Sequence, residues 1–170
     1  MLNVKTLIEP FAIVLVGLPA SGKSTWCNKF LSRSASFSNE VCIISSDNYI
    51  QEKALAEGST YTEVFDKYIG AATAHMKTQC NLAVKEGKNL IWDQTNLSPK
   101  KRKSVINRLP DTYLKVAVIF DIDDRELQRR LDTRAEEEGK FIPPHVMKSM
   151  LASYRPVTKD EGFNFIIKGN

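Results

Sequence analysis

Short runs of apolar, often β-branched residues alternate along the chain with longer stretches in which apolar positions recur every three or four residues. The runs Phe11–Val16, 41–45, Asn89–Trp92, 114–120 and 163–167 contain no proline and read as short strands of the kind buried on both faces of a parallel sheet. Between them, residues 62–86 set Phe65, Ile69, Ala72, Met76, Cys80 and Ala83 along one face of a long helix. Further helices are expected at Lys23–Leu31, 99–108, 125–138 and 144–154. This rhythm predicts α/β units wound around a mainly parallel sheet.

Composition narrows the class without naming it. A chain of 170 residues, 42% hydrophobic and 26% charged, has room for one domain over 1–170 and has the balance of a folded protein. No Gly, Ser or Pro-rich linker divides it. No apolar run approaches the length of about 18 residues that spans a bilayer, and residues 1–10 lack the pattern of a signal peptide, so no membrane association and a cytoplasmic location are expected. Cys27, Cys42 and Cys80 are odd in number, widely spaced and set among apolar neighbours, as buried reduced thiols are. His75 and His145 have no metal-ligand partner at useful spacing. A formal net charge of +4 permits a polyanionic partner without demanding one.

The chemistry enters immediately after the first strand. Gly17-Leu18-Pro19-Ala20-Ser21-Gly22-Lys23-Ser24-Thr25 fits the phosphate-binding loop G-x-x-x-x-G-K-[ST] (Walker A) in the strand, loop, helix context it requires. Glycines at 17 and 22 let backbone N–H groups, those of Ala20 and Ser21 included, close around phosphate oxygens at a positive helix N-terminus. Lys23 is expected to reach the β- and γ-phosphates of ATP, Ser24 to offer its hydroxyl to Mg²⁺, and Thr25 to support the start of the helix.

Open α/β sheets place ligands at the carboxyl ends of their strands. Two acids satisfy that rule. Asp47 follows the second strand, where it is either a general base for an attacking hydroxyl or the cap of a helix beginning near Asn48. Asp93 ends the third strand, where it either holds Mg²⁺ or forms a turn. After the fourth strand, Arg130 and Arg134 lie one turn apart on one helix face. They either clamp a transferring phosphoryl group or pair with Asp132, Glu137 and Glu138. The charged segment 125–143, ending at Gly139 and two prolines, reads as a lid. Lys100, Lys101, Arg102 and Lys103 follow Ser98-Pro99, a helix start, and read as a basic face for a phosphate backbone or as a solvated surface.

Gly17 to Trp26, then Ser46-Asp47-Asn48-Tyr49, then Asp93-Gln94-Thr95-Asn96-Leu97-Ser98-Pro99 resemble, in order and spacing, the kinase domain of the bacteriophage T4 polynucleotide kinase family. The similarity continues through Phe120-Asp121, Arg130 with Arg134, and the run from Ile142 to Met150. It implies a P-loop NTPase three-layer fold with a five-stranded sheet and a helical lid. It also implies a 5′-hydroxyl of DNA or RNA as acceptor, Asp47 as general base and Arg134 as the lid arginine. Three departures stand out. Ile50 occupies the position of an arginine that grips the substrate's 3′-phosphate in the phage enzyme. Gln94 interrupts what reads Asp-Thr-Asn there. No phosphatase domain fits after the match, so 3′-end processing is expected elsewhere. The Asp-Gln-Thr-Asn run, Glu137-Glu138-Gly139-Lys140 and the P-loop are also similar to the ATPase-like domain of heterogeneous nuclear ribonucleoprotein U, which implies an RNA-associated nucleotide-binding module. A small-molecule kinase on the same scaffold is the third reading. The combined expectation is Mg²⁺- and ATP-dependent phosphorylation of a nucleic-acid 5′ end.

Overall fold

In the computed structural model, which describes residues 8–33, 35 and 37–169, five parallel strands form one sheet in the order β2-β3-β1-β4-β5. The strands are β1 (Phe11–Val16), β2 (Val41–Ile44), β3 (Asn89–Trp92), β4 (Leu114–Ile119) and β5 (Phe165–Lys168). The helices are α1 (Lys23–Leu31), α2 (Ser46–Glu57), α3 (Tyr61–Lys85), α4 (Pro99–Ile106), α5 (Asp124–Glu138) and α6 (Pro144–Ser153), with a short 3₁₀ turn at Lys159–Glu161.

Strand β1 is central and buried throughout, with Ile13 paired to Ile91 on one side and Val116 on the other. Alternation sends its side chains to opposite faces. Ala12, Val14 and Val16 join Met76, Cys80 and Ala83 of α3 and Val105 of α4 in one core. Phe11, Ile13 and Leu15 join Trp26, Cys27 and Phe30 of α1 in another. The result is the three-layer arrangement expected. The expected stripe of α3 divides between two cores, Met76, Cys80 and Ala83 in the one shared with α4, and Ala72 with the partly buried Phe65 and Ile69 in that of the α2 and α3 hairpin. Burial raises the thiols of Cys27, Cys42 and Cys80, that of Cys27 to about 12.

Helices α2 and α3 form a hairpin with a small core of its own, Ile50, Ala54, Val64 and Ala72. Gly58 ends α2 in the left-handed conformation, and Thr60 with Glu63 forms a capping box that starts α3. Boundaries differ from the sequence reading where capping decides them. Ser45, expected as strand, is the N-cap of α2, and α5, capped by Asp123, begins at Asp124, one residue before its expected start. The last strand begins at Phe165, two residues after its expected start, and Phe163 belongs to the α3 and α4 core.

Candidate active site

All five strands run the same way, so the segments after β1, β2, β3 and β4 emerge on one edge of the sheet. The phosphate loop leaves β1 there and is held by its neighbours. Gly17 donates its N–H to the carbonyl of Thr95 at 3.0 Å. A Cβ on Gly17 would stand 2.7 Å from Ser21 Oγ and 3.0 Å from Phe120, so only glycine lets the loop pass. Ala20 and Gly22 take the left-handed conformation, φ 61° and 103°, the backbone turn that aims successive N–H groups inward.

Lys23 crosses the loop, its Nζ donating to the carbonyls of Gly17 at 3.0 Å and Leu18 at 2.6 Å. Burial draws its ammonium down to about 8, against the favourable charges of Asp93 and Asp47. Ser21 Oγ is buried without a hydrogen-bond partner among the described residues. A buried orphan hydroxyl inside a cradle of N–H groups fits an anionic oxygen as its partner. Ser24 and Thr25 are exposed on the first turn of α1.

Asp47 occupies the first turn of α2, but it is not the cap. Ser45 Oγ accepts the Asp47 N–H at 3.2 Å and performs that task, which leaves the Asp47 carboxylate exposed and aimed elsewhere. It accepts a hydrogen bond from the Tyr61 hydroxyl at 2.8 Å. Asp93 follows β3 and is half-buried; burial raises its carboxyl, with Lys23 and Arg134 acting against that rise and Asp47 adding to it. Asp47, Asp93, Lys23 and Arg134 thus share one electrostatic neighbourhood.

The departures from the phage pattern have structural answers. Gln94 donates through Nε2 to Ser46 Oγ and to the Asp93 carbonyl, both at 2.9 Å, which ties the loop bearing Asp93 to the helix start bearing Asp47. Asn96 adopts φ 48° and donates to the Leu15 carbonyl at 2.7 Å, anchoring the other end of that loop to β1. Ile50 is wholly buried in the α2 and α3 hairpin and offers nothing to a ligand.

Arg130 and Arg134 both come from α5. Arg130 donates to the Ala20 carbonyl of the phosphate loop at 3.3 Å and to Glu126 at 2.6 Å. Arg134 lies 3.5 Å from Glu138 while its charge reaches Lys23, Asp93 and Tyr61. Arg134 thus pairs with Glu138, one of its expected partners, whereas Arg130 pairs with Glu126, which the sequence reading did not name, and also touches the phosphate loop. The C-terminal end of α5 is tied down. Thr62 Oγ1 donates to the Gly139 carbonyl at 2.9 Å and accepts from the Phe141 N–H at 3.0 Å.

The basic run requires correction. Arg102 does not lie with Lys100, Lys101 and Lys103, which are exposed; it is wholly buried and paired with Glu161. Four consecutive residues on a helix cannot share one face, and position 102 falls on the side that meets the core through Val105. Gln94 stood out in the sequence only as a departure from the phage motif, with no role assigned to it, and Tyr61 gave no chemical signal at all.

A sequence model described as an AAA domain matches residues 13–157, and the chain belongs to that family. Human heterogeneous nuclear ribonucleoprotein U-like protein 2 is 27% identical over 153 residues, covering 88% of this chain and 20% of that protein. The chain thus spans about a fifth of the length of the curated relatives it matches. A chain in the structure of the Pnkp1/Rnl/Hen1 RNA repair complex aligns with a TM-score of 0.66 at 24% identity, over 90% of this chain and 46% of that one. Kti12 of Chaetomium thermophilum in complex with ADP-AlF3 aligns with a TM-score of 0.63 at 14% identity, over 92% and 87%. The fold is that of the P-loop kinases. No helix among the described residues is long and apolar enough to cross a membrane.

Proposed function

We propose that residues 1–170 form a single cytoplasmic kinase domain that uses ATP and Mg²⁺ to phosphorylate the 5′-hydroxyl end of DNA or RNA, an activity suited to nucleic-acid end repair. The observation that carries this reading is Asp47. It is an exposed carboxylate, relieved of capping by Ser45, in the electrostatic field of the phosphate-loop lysine. A site that only holds a nucleotide needs no such group.

In this reading the backbone N–H groups from Ala20 to Ser24 receive the phosphates of ATP, with Ser21 Oγ as a further donor and Lys23 opposing the charge of the β- and γ-groups. Ser24 and Asp93 would hold Mg²⁺, which when bound neutralises charge on phosphate oxygens. Asp47 accepts the acceptor's hydroxyl proton. The freed oxygen pair forms the new bond to the γ-phosphorus as the bond to the bridging oxygen breaks, and that oxygen leaves with its electron pair on ADP. Arg134 and Arg130 close from α5 and balance the charge that spreads over the transferring group. The polynucleotide acceptor is supported by the Ser46-to-Tyr49 and Asp93-to-Pro99 motifs, by the likeness to a chain of an RNA repair complex, and by the exposed lysines of α4.

The match to the ribonucleoprotein U-like protein favours a second reading, an RNA-associated ATP-binding module. Labelled γ-phosphate transfer, offered 5′-hydroxyl oligonucleotides, nucleoside 3′-monophosphates and nucleoside 5′-monophosphates, separates them. Transfer to the oligonucleotides is expected. Transfer to nucleoside 5′-monophosphates alone would make the protein a nucleotide kinase, and ATP binding with no transfer to any acceptor would favour the module.

A further inference from the structure

We propose that Tyr61 is a positioning residue for the transfer step, holding Asp47 by Oδ1 so that Oδ2 is the oxygen presented to the acceptor hydroxyl. This rests on Asp47 being the base. An exposed carboxylate turns readily about its terminal bond and offers either oxygen in many directions. The Tyr61 hydroxyl, 2.8 Å from Oδ1, removes that freedom.

The tyrosine is itself held on every side. It is the first residue of α3, and the capping box of Thr60 and Glu63 fixes the backbone that carries it. Its ring stands 5.7 Å from the ring of Phe65, and the ammonium of Lys140 lies 5.2 Å from its centroid. The next residue, Thr62, bonds the Gly139 and Phe141 backbone at the end of the lid. One short segment thus joins the acceptor-side carboxylate to the helix that carries Arg134. The charged groups around Asp47 are Lys23 from α1 and Asp93 from the end of β3, while Arg134 of α5 faces Tyr61. Burial and the Asp47 charge hold the Tyr61 hydroxyl above the ordinary tyrosine range, so it keeps its proton and acts as a donor only. The proton taken from the acceptor passes to Asp47 Oδ2, and Tyr61 is unchanged by the step.

The test is Tyr61→Phe, which keeps the ring and removes the hydroxyl. Oligonucleotide phosphorylation should lose about tenfold or more in kcat, as removal of a hydrogen bond to a charged group does, with KM for ATP unchanged. In an Asp47→Asn background the same substitution should change the residual rate by less than about twofold, because a residue acting through Asp47 has nothing left to position. An unchanged kcat, or an equal loss in both backgrounds, overturns the inference. If Tyr61→Phe weakens folding or ATP-analogue binding, kcat per folded protein at saturating ATP decides: a loss of about tenfold there supports the role and no loss overturns it. Full activity of Asp47→Asn alone would instead remove the base reading itself, a separate result from an inactive Asp47→Asn beside an unimpaired Tyr61→Phe.

Discussion

Arg102 and Glu161 meet through two parallel contacts, Nε to Oε2 at 2.6 Å and Nη2 to Oε1 at 2.8 Å, with the arginine wholly buried. The remaining guanidinium N–H groups reach the carbonyls of Asn96, Leu97 and Pro156. One side chain therefore clasps the loop after β3, helix α4 and the approach to β5. Removing either partner leaves a buried charge without compensation, which costs about 3 to 5 kcal/mol. Arg102→Ala is expected to lower the denaturation midpoint by that order, and Arg102→Lys to rescue little, since an ammonium cannot supply the fork. Chemical denaturation measures both.

The same pair gives a pH dependence. Burial alone would raise the Glu161 carboxyl, but Arg102 and the Thr158 N–H outweigh it and hold the group below the ordinary glutamate range. A depressed acid binds fewer protons folded than unfolded, so its contribution is complete above the unfolded value of about 4.3 and disappears as pH falls through the folded one. Thermal melts of the wild type should fall more steeply below about pH 4.3 than those of Glu161→Gln. Parallel curves would show that Glu161 does not carry that part of the acid response.

Much of this architecture was legible because the signals were local. The strands, the helical stripe of α3 and the phosphate loop each announce themselves within one element, and Phe11–Val16, Lys23–Leu31 and Asn89–Trp92 lie where hydrophobic pattern and motif put them. Pairings between residues far apart in sequence were not legible. Tyr61 meets Asp47 across a hairpin, Arg102 meets Glu161 across 59 positions, and nothing in a run of cations says which one faces inward. That Asp47 does not cap α2 turned on Ser45, a neighbour whose type suits a cap as well as aspartate does.

In the proposed reaction Lys23 serves the donor and Asp47 the acceptor, so their losses should separate. Lys23→Ala is expected to weaken ATP binding, seen by calorimetry, along with transfer. Asp47→Asn is expected to bind ATP as the wild type does and to lose transfer by about 100-fold or more, within the range for removal of a general base. Near-full transfer by Asp47→Asn around neutral pH would return that residue to a role in helix α2 alone.

Helix α5 should behave as a lid hinged at its far end. Gly139 closes it at φ +63°, and a Cβ there would lie 3.0 Å from Thr60 Cβ. Gly139→Ala should therefore strain the turn by roughly 1 to 3 kcal/mol and loosen the tie to α3. Hydrogen exchange over residues 125–143 should slow when a non-hydrolysable ATP analogue is added, and slow less in the variant. Equal protection with and without the analogue would describe a rigid helix.

With Arg102 turned inward, any grip on a polynucleotide from α4 falls to Lys100, Lys101 and Lys103, all exposed. Ser98 caps the helix by accepting the Lys101 N–H, so these cations sit in its first two turns, against the helix dipole, at a cost of about 0.3 to 1 kcal/mol for those nearest the end. They are also placed with some rigidity, because Arg102 binds the carbonyls of Asn96 and Leu97 just before the helix begins. Asn96 in turn closes the loop that carries Asp93, and the lysines begin four residues after it. Replacing the three lysines with alanine, and leaving Arg102 in place, should raise the oligonucleotide KM at physiological salt without altering ATP affinity. The plot of log affinity against log salt should become shallower by roughly 0.7 for each single-strand phosphate that is no longer neutralised, hence by about 2 in total if each lysine neutralises one. Including Arg102 in the replacement would confound the result by unfolding. An unchanged slope with an unchanged oligonucleotide KM would mean that the lysines serve only the solvated surface, and would shift the acceptor toward a small molecule.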